Sequence, residues 1–346
     1  MATPQQYQTP HKWQGKQNLM SVSILGCGAW AMTIANLIAL KNTPLSLWCH
    51  DEDIALSITK KNKHPLFEDF KINPKINATH DLEKACYKSD AIIIGVASPF
   101  ISIIKTIPKE NKAPFLLLSK GLLENSRYLL LSEYIEEQRP DNTLAILSGP
   151  NLASEINNKK PAATVIACKD NEIAIKFQNL LSNEDFRVYT SMDPKGVALG
   201  GILKNIMAIA GGCVDGLNLG MNSKAALLSR ALQEMSRIGE SLGGQKASFT
   251  GLSGLGDLIA TANSPLSRNW KVGYALAKGE NFENILKKTG SIAEGVKSCK
   301  LIYEHCQKHH LSAPITEQLY QILYQKKGPK SAINDLMNRE LKAEES

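Results

Sequence analysis

The sequence predicts an α/β fold, in which a doubly wound sheet with flanking helices is followed by an all-α C-terminal domain. Short apolar runs alternate with helix-like patterns over the first 190 residues, which is typical of a sheet covered by helices on both faces. Strand-like patterns then stop at about Pro194. At 346 residues the chain exceeds the size at which a single core keeps growing, so two domains are expected.

The first half contains seven apolar runs of strand length. They occupy residues 22–25, 45–49, 91–97, 115–119, 144–147, 163–167 and 187–190. Helix-like stretches, such as 29–40 and 82–88, separate most of them. Because strands that alternate with helices usually pair in parallel, we expect a parallel sheet.

The second half has only helical patterns, at residues 195–213, 223–242, 268–278, 282–288, 294–309 and 314–325. Gly243, Gly244 and Gly279 stand where helices are expected to end, since glycine is common just past a helix C-terminus. The expected units are a polar, disordered tail at 1–20, a first domain at 21–193 and an all-helical domain at 194–340. The tail lacks the apolar core of a secretory signal.

The amino-acid composition indicates which partners and which cellular compartment to expect. Seven cysteines are scattered without a C-x-x-C pair, which favours free thiols in a reducing compartment, so we expect a cytoplasmic protein. The net charge of +7 comes from small lysine groups that we expect on solvated surface. Basic residues are not interleaved with aromatic ones, so no nucleic-acid partner is expected.

A G-x-G-x-x-A motif, formed by Gly26, Gly28 and Ala31, lies between the first strand and the first helix. The first glycine permits a tight turn, the second lets backbone approach a pyrophosphate, and the third small residue packs helix against strand. The start of the helix, at Ala29 and Trp30, offers N–H groups to the phosphates. The motif predicts a Rossmann-type dinucleotide-binding domain; a glycine-rich turn in an unrelated α/β protein is the alternative.

His50 and Asp51 follow the second strand, where the adenosine ribose is usually selected. An acidic residue there favours NAD, whereas basic groups accommodate the 2′-phosphate of NADP. The pair is ambiguous, because Asp51 can instead cap a helix that runs to about Lys61. We favour NADP, with NAD as the alternative.

Lys204 is the one charged residue in the apolar run 196–214. A membrane span fits this length, but five glycines oppose it and a central lysine costs about 2.5–3.5 kcal/mol on insertion. A lysine that extends from a packed helix to the surface is a second alternative. We favour a core helix that directs Lys204 into a closed site, where burial lowers its pKa and suits it to proton transfer.

Asp257 follows three glycines within the apolar stretch 249–258, which we interpret as a loop. A buried carboxylate needs a partner, and Lys204 is the natural one. A turn-capping role for Asp257 is the alternative.

Ser267, Arg268 and Asn269 open the helix at 268–278. Ser267 fits an N-cap, and the first turn then combines backbone N–H groups with a guanidinium that can bind phosphate through two hydrogen bonds. The alternative is an ordinary cap followed by a solvent-exposed arginine.

Two loops follow strands of the first domain and carry Lys120, Gly149 and Asn151. Ligands bind beyond the carboxyl ends of parallel strands, so Lys120 is a candidate contact; a surface lysine is the alternative. His305 and His309 share one helical face beside Cys306 and His310, but a nearby acidic or second cysteine ligand is lacking, so no metal is predicted.

Together these motifs resemble the bacterial NAD(P)+-dependent glycerol-3-phosphate dehydrogenase family. The matching stretches span residues 21 to about 296 and are GCGAWA, SKGL, SGPNLASE, GGILKNIMAIAGG, GMNSKAALLSRALQEMSRIG, GLSGLGDLIAT and SPLSRN. The resemblance implies that dihydroxyacetone phosphate is reduced to sn-glycerol 3-phosphate for phospholipid synthesis, usually with NADPH. A homodimer is expected from the resemblance alone.

The resemblance also implies roles by position. Lys204 transfers the proton, Asp257 assists it, and Lys120 contacts both cofactor and substrate. The other substrate positions are Gly149, Asn151, Ser267, Arg268 and Asn269, and the cofactor positions are Gly26, Gly28, Ala29, Trp30, Ala31, His50, Lys120, Ala153, Arg268 and Glu294.

Two residues depart from the motifs of the family. The family commonly has GAWGTA where this chain has GAWAMT, and we expect the extra methyl group of Ala31 to weaken dinucleotide binding slightly. The family motif SGPSFA is SGPNLA here, so Asn151 must make any hydrogen bond assigned to the serine.

Two other functions compete with this one. A related two-domain hydroxy-acid dehydrogenase would bind a carboxylate where we expect the phosphate. A non-catalytic NADP sensor or nucleic-acid binder would need no lysine in a core helix, and its nucleic-acid affinity would depend steeply on salt.

Overall fold

The computed structural model describes residues 20–67, 69–123, 130–288, 293–341 and 343–344. The tail expected at 1–20 therefore lies outside the described residues, apart from Met20. The strands are β1 Val22–Leu25, β2 Leu45–Trp48, β3 Asn77–Thr79, β4 Ala91–Ile94, β5 Phe115–Leu117, β6 Leu144–Ser148, β7 Ala162–Cys168 and β8 Phe186–Ser191.

Helices flank the sheet and form the rest of the chain. They are α1 Ala29–Ala39, α2 Glu52–Lys61, α3 Leu82–Cys86, α4 Leu131–Gln138, α5 Ala153–Asn157, α6 Asn171–Leu181, α7 Pro194–Gly216, α8 Gly220–Ser241, α9 Lys246–Thr250, α10 Asp257–Ala262, α11 Arg268–Ala277, α12 Phe282–Lys288, α13 Glu294–Lys308, α14 Pro314–Tyr324 and α15 Pro329–Met337. A 3₁₀ segment covers Ser98–Thr106 and a π-helical segment covers Leu252–Gly256.

The strands form one sheet in the order β3-β2-β1-β4-β5-β6-β7-β8. The first six are parallel in the 3-2-1-4-5-6 order of a Rossmann domain, and helices follow, so the predicted fold class is confirmed. The expectation of a wholly parallel sheet is wrong at β7, which pairs antiparallel with β6. The connection between them contains only the five-residue α5, whereas a parallel crossover usually needs a full helix.

The carboxyl ends of β1, β4, β5 and β6 meet at one edge of the sheet. Gly26, Gly95, Lys120 and Gly149 follow these strands directly or within three residues. Gly26 has φ +107°, and a Cβ there would lie 2.9 Å from the Gly95 carbonyl oxygen, so only glycine fits this close approach. The parallel order therefore gathers residues from distant parts of the sequence at a single edge.

Helix α7 is the core of the helical half. By length and composition it could cross a membrane, but 94% of its apolar window is buried inside the protein. Helices α8, α10, α11 and α13 surround it. The apolar run around Lys204 is therefore explained by burial within the protein.

Two helix ends follow the expected glycine pattern, because Gly243 and Gly279 adopt φ +90° and +84° just past α8 and α11. The interpretation of 249–258 as a loop is wrong. Most of this stretch is helical, since the π-helical segment runs directly into α10 at Asp257. Glycine has low helix propensity, so three glycines in ten residues concealed the helix.

Candidate active site

The turn between β1 and α1 is open on one side. Gly28 precedes the first residue of α1, and a Cβ at Gly28 would meet nothing within 4 Å. No side chain caps α1, so the N–H groups of its first turn, from Ala29 onward, point toward that open space. Thr33 on α1 donates to the carbonyl oxygen of Ala153 (3.4 Å), which brings this predicted cofactor residue beside the same helix. The turn has the room and the N–H donors that a pyrophosphate needs.

Ala31 and Trp30 lie on the first turn of α1. Ala31 is 1% exposed, and its methyl group approaches Gly95 at the end of β4, where an added Cβ would lie only 2.8 Å away. Trp30 is half-buried and packs on the core of the sheet. The extra methyl group of Ala31 therefore faces the sheet.

His50 and Asp51 follow β2, at the same carboxyl-end edge of the sheet as the turn between β1 and α1. Asp51 is the N-cap of α2, because its side chain accepts a hydrogen bond from the Ile54 backbone N–H (3.1 Å). His50 is exposed and makes an edge-on contact with the Trp48 ring, with centroids 6.0 Å apart. Of the two interpretations of Asp51, the helix cap is the one present in the structure.

Lys204, Asp257 and Lys120 form one buried cluster. The Lys204 Nζ lies 2.9 Å from Asp257 Oδ1, and the Lys120 Nζ lies 2.6 Å from Asp257 Oδ2. Lys204 is 8% exposed and Asp257 is 2% exposed. Lys120 reaches the cluster past Gly201, where a Cβ would lie 3.2 Å from its side chain. The carboxylate therefore holds two ammonium groups, one from each half of the chain.

Burial and charge shift the pKa values in this cluster. Burial lowers the pKa of Lys204, the Lys120 charge lowers it further, and Asp257 opposes both. Burial alone would raise the pKa of Asp257, but the Lys120 and Lys204 charges outweigh it and hold that pKa below its ordinary value. Asp257 is thus a carboxylate, and Lys204 releases its proton more readily than a surface lysine.

The sequence prediction missed two polar partners. Thr261 accepts a hydrogen bond from Lys204 Nζ (2.6 Å) and donates one to Asp257 (3.1 Å). Asn205 accepts from the Asn269 side chain (2.9 Å). Thr261 lies four residues after Asp257, which is one helical turn, so recognising 257–262 as a helix would have revealed it.

The start of α11 carries the three predicted phosphate residues. Ser267 is its N-cap and accepts from the Trp270 backbone N–H (3.2 Å). Asn269 is buried, and its Oδ1 accepts from the Gly295 backbone N–H (3.0 Å). Arg268 is exposed at the first helical position.

Glu294, the first residue of α13, faces the positive charges of the site. Burial raises its pKa, while the charges of Arg268, Lys120 and Lys204 oppose the rise. Arg268, Lys120 and Lys204 therefore lie near enough to Glu294 for their charges to act on it.

Gly149 and Asn151 follow β6. The Asn151 Nδ2 donates to Thr164 Oγ1 (2.9 Å), which donates to the Ser148 carbonyl oxygen (2.9 Å). Within the described residues, Asn151 Oδ1 and Ser148 Oγ are buried without a hydrogen-bond partner. A cavity of about 10 Å³ borders Ser148 and Lys120, enough for one water. Buried polar atoms without partners are typical of a ligand or water site.

Other titratable groups lie apart from this region. The His305 and His309 rings are tilted against each other with centroids 4.4 Å apart, and the described part of the chain contains no group of three or more His, Cys, Asp or Glu suited to a metal. All seven cysteines are free thiols.

A dinucleotide turn and a buried lysine–aspartate cluster share one sheet edge, which defines a two-part nicotinamide-dependent oxidoreductase. The chain belongs to the NAD-dependent glycerol-3-phosphate dehydrogenase family. The model of its N-terminal part matches residues 21–174, and the model of its C-terminal part matches residues 193–334.

Relatives and solved structures agree with this assignment. A glycerol-3-phosphate dehydrogenase (NAD(P)+) from Maridesulfovibrio salexigens is 39% identical over 331 residues, covering 94% of this chain and all of the relative. One from Bacillus pumilus is 37% identical, covering 93% and 95%. The crystal structure of glycerol-3-phosphate dehydrogenase from Coxiella burnetii has a TM-score of 0.86 and 32% identity, covering 92% of this chain and 99% of that one.

Proposed function

We propose that this protein reduces dihydroxyacetone phosphate to sn-glycerol 3-phosphate, with NADPH preferred and NADH as the alternative donor. The observation that carries the proposal is the buried Lys204–Asp257–Lys120 cluster, which lies at the same sheet edge as the dinucleotide turn. Family membership supports the substrate, and the product is a precursor for phospholipid synthesis.

Lys204 is the proton donor in this proposal. When bound, the nicotinamide supplies the hydride to the ketone carbon. Lys204 gives its proton to the ketone oxygen, and its lowered pKa makes that transfer easier. Lys120 adds a second positive charge where the oxygen gains negative charge, and Asp257 keeps both ammonium groups in place.

The start of α11 anchors the phosphate of the substrate. Arg268 can bind phosphate oxygens through two hydrogen bonds, and the N-terminus of α11 adds a partial positive charge. The Asn269 side chain donates a hydrogen bond to Asn205 on α7. Because Asn205 follows Lys204 directly in the sequence, this bond holds the phosphate anchor close to the proton donor. Asn151 Oδ1, buried without a partner, is suited to accept from a substrate hydroxyl.

The direct test is an assay of NADPH and NADH oxidation, side by side, with dihydroxyacetone phosphate and with a 2-keto acid of similar size. We expect oxidation with the phosphorylated ketone, faster with NADPH. Activity only with the keto acid would instead support the hydroxy-acid dehydrogenase.

The choice between NADP and NAD can be tested at His50 and Asp51, the residues that follow β2. Asp51 is engaged as a helix cap, and its negative charge opposes a 2′-phosphate, whereas His50 is exposed beside it. Asp51→Asn keeps a good N-cap and removes the charge. We expect this variant to lower the KM for NADPH and to leave the KM for NADH little changed. An unchanged ratio of the two KM values would show that Asp51 does not face the 2′ position.

Three further statements belong to the proposal. Residues 21–193 would serve as the dinucleotide-binding unit and 194–340 as the substrate-binding unit, supported by the two family matches. The protein would be a homodimer, supported by family resemblance and testable by light scattering. A cytoplasmic location would suit its seven free thiols.

A further inference from the structure

A second buried lysine lies outside the site described above. Lys224, on α8, is 2% exposed. Its Nζ donates to the carbonyl oxygens of Gly211 (2.8 Å) and Ala262 (2.8 Å) and to Asp215 Oδ2 (2.6 Å). An ammonium group has three N–H donors, so this one is fully used within the protein. A buried charge is costly unless it is paired and hydrogen-bonded, and here both conditions are met.

Asp215 extends the contact to α11. Its Oδ2 also accepts from the Trp270 indole Nε1 (2.5 Å), and the Trp270 ring stacks on Tyr274 with centroids 4.8 Å apart. We call Lys224, Asp215 and Trp270 the junction cluster. It joins α8, α7, α11 and, through the Ala262 carbonyl, the last residue of α10.

The helices joined by this cluster touch at their backbones. A Cβ at Gly212 on α7 would lie 2.1 Å from the Trp270 carbonyl oxygen, and a Cβ at Gly273 on α11 would lie 1.9 Å from the Ile209 carbonyl oxygen. At this separation neither helix can move toward the other. The Trp270–Asp215 hydrogen bond of the junction cluster crosses this interface and opposes separation of α7 and α11, and the Lys224–Asp215 bond ties the same carboxylate to α8.

The three helices carry the two ends of the proposed site. Helix α7 holds Lys204, α10 holds Asp257 and Thr261, and α11 begins with Arg268. Trp270 is two residues after Arg268, and Ala262 follows Thr261 directly. The junction cluster therefore binds the chain two residues from Arg268, at the proposed phosphate anchor, and one residue from Thr261, which contacts the proposed proton donor Lys204.

We propose that the junction cluster holds the phosphate anchor at a fixed distance from the proton donor, so that binding of the phosphate aligns the ketone oxygen with Lys204. The inference rests on the proposed function. Lys224, Asp215 and Trp270 are positioning residues, because their polar atoms bind one another and helix carbonyls. Binding energy from a remote phosphate raises the rate at the reacting centre only if the two are rigidly connected.

The test uses Trp270→Phe, which keeps an aromatic ring beside Tyr274 and removes the N–H that binds Asp215, together with part of the indole ring. We expect kcat/KM for dihydroxyacetone phosphate to fall about tenfold, which corresponds to one lost hydrogen bond to a charged group. For dihydroxyacetone, which lacks the phosphate, kcat/KM should stay unchanged, as should the Kd for NADPH. A purely structural defect would lower both kcat/KM values alike.

Two more variants complete the experiment. Tyr274→Phe keeps the ring that stacks on Trp270 and removes only a hydroxyl outside the hydrogen bonds of the cluster, so it should behave as wild type with both ketones. Lys224→Arg should lower kcat/KM for the phosphorylated ketone alone, because a guanidinium cannot reproduce three ammonium contacts at these distances. Equal losses with both ketones, or no loss with either, in an active enzyme overturn this inference only. An inactive wild-type protein overturns the proposed function as well.

Discussion

The two halves of the candidate site bind by different means. The dinucleotide turn uses backbone N–H groups and the missing side chains of Gly26 and Gly28, all within the six consecutive residues 26–31. The lysine–aspartate cluster instead uses buried side chains from distant parts of the chain, since Lys120 and Asp257 are 137 positions apart in the sequence.

This difference determines how each half responds to substitution. A site made of backbone groups tolerates side-chain changes that leave the course of the backbone unchanged. In a buried cluster, each charge is stabilised by the others. Removing one side chain from the cluster leaves a buried charge with fewer partners. The largest effects are therefore expected in the lysine–aspartate cluster and the smallest in the turn.

The largest effect is expected for Lys204→Met. Methionine fills similar volume but can neither donate nor accept a proton, and general acid–base catalysis contributes roughly 10²–10⁴-fold. We expect kcat to fall by about that factor, with the Kd for NADPH unchanged because the turn is intact. Steady-state kinetics and fluorescence titration measure the two quantities. Lys195→Met, at a partly exposed lysine that pairs with Glu133, is the control and should leave kcat unchanged. Normal kcat in Lys204→Met would remove this residue from the chemistry.

A smaller effect is expected for Arg268→Ala, at the edge of the cluster. Loss of a charge-assisted hydrogen bond costs about 2–3 kcal/mol, so KM for dihydroxyacetone phosphate should rise roughly 30- to 150-fold. The value of kcat should change less, because a phosphate contact is made in both ground and transition states. Turnover of unphosphorylated dihydroxyacetone provides the control and should be unaffected. An unchanged KM would exclude Arg268 as the phosphate anchor.

The same difference explains what the sequence could predict. The turn at Gly26 and the cap at Ser267 are local patterns, so their positions and their neighbours follow from consecutive residues. Lys204 could be recognised from the sequence, because a single charge in an apolar helix is costly to bury unless it is paired or has a function. The pairing of Lys120 with Asp257 was not, because no local pattern records which strand ends and helices meet.

The remaining errors have physical causes as well. The π-helical segment Leu252–Gly256 was taken for a loop, because glycine lowers helix propensity. Its backbone leaves no room for a side chain at Gly254, where a Cβ would lie 2.0 Å from the Phe249 carbonyl oxygen. The antiparallel β7 could not be foreseen, because its apolar run is compatible with either direction. Tertiary packing decided both.

The pH profile separates the charges within the cluster. If Lys204 is the proton donor as proposed, kcat should fall as pH rises through its pKa, which burial and the Lys120 charge hold below 10.5. In Lys120→Met the repelling charge is gone, so the pKa of Lys204 rises and the fall should move to higher pH. The measurement is kcat for ketone reduction across the alkaline range, with Lys195→Met as the matched surface control. A fall that stays in place would show that a group other than Lys204 controls it.

The smallest effect is expected in the turn, for Ala31→Gly, which restores the residue common in the family. Because the Ala31 methyl group faces Gly95 in the sheet, its removal should leave the Kd for NADPH unchanged. The expectation that this methyl group weakens dinucleotide binding predicts instead a lower Kd. Glycine inside a helix costs about 1 kcal/mol relative to alanine, so Tm should fall by about 2 °C. Titration of NADPH and a thermal melt on the same sample distinguish the two expectations. A lower Kd would mean that the Ala31 methyl group affects the path of the backbone around the pyrophosphate. The turn would then tolerate fewer side-chain changes than its open geometry implies.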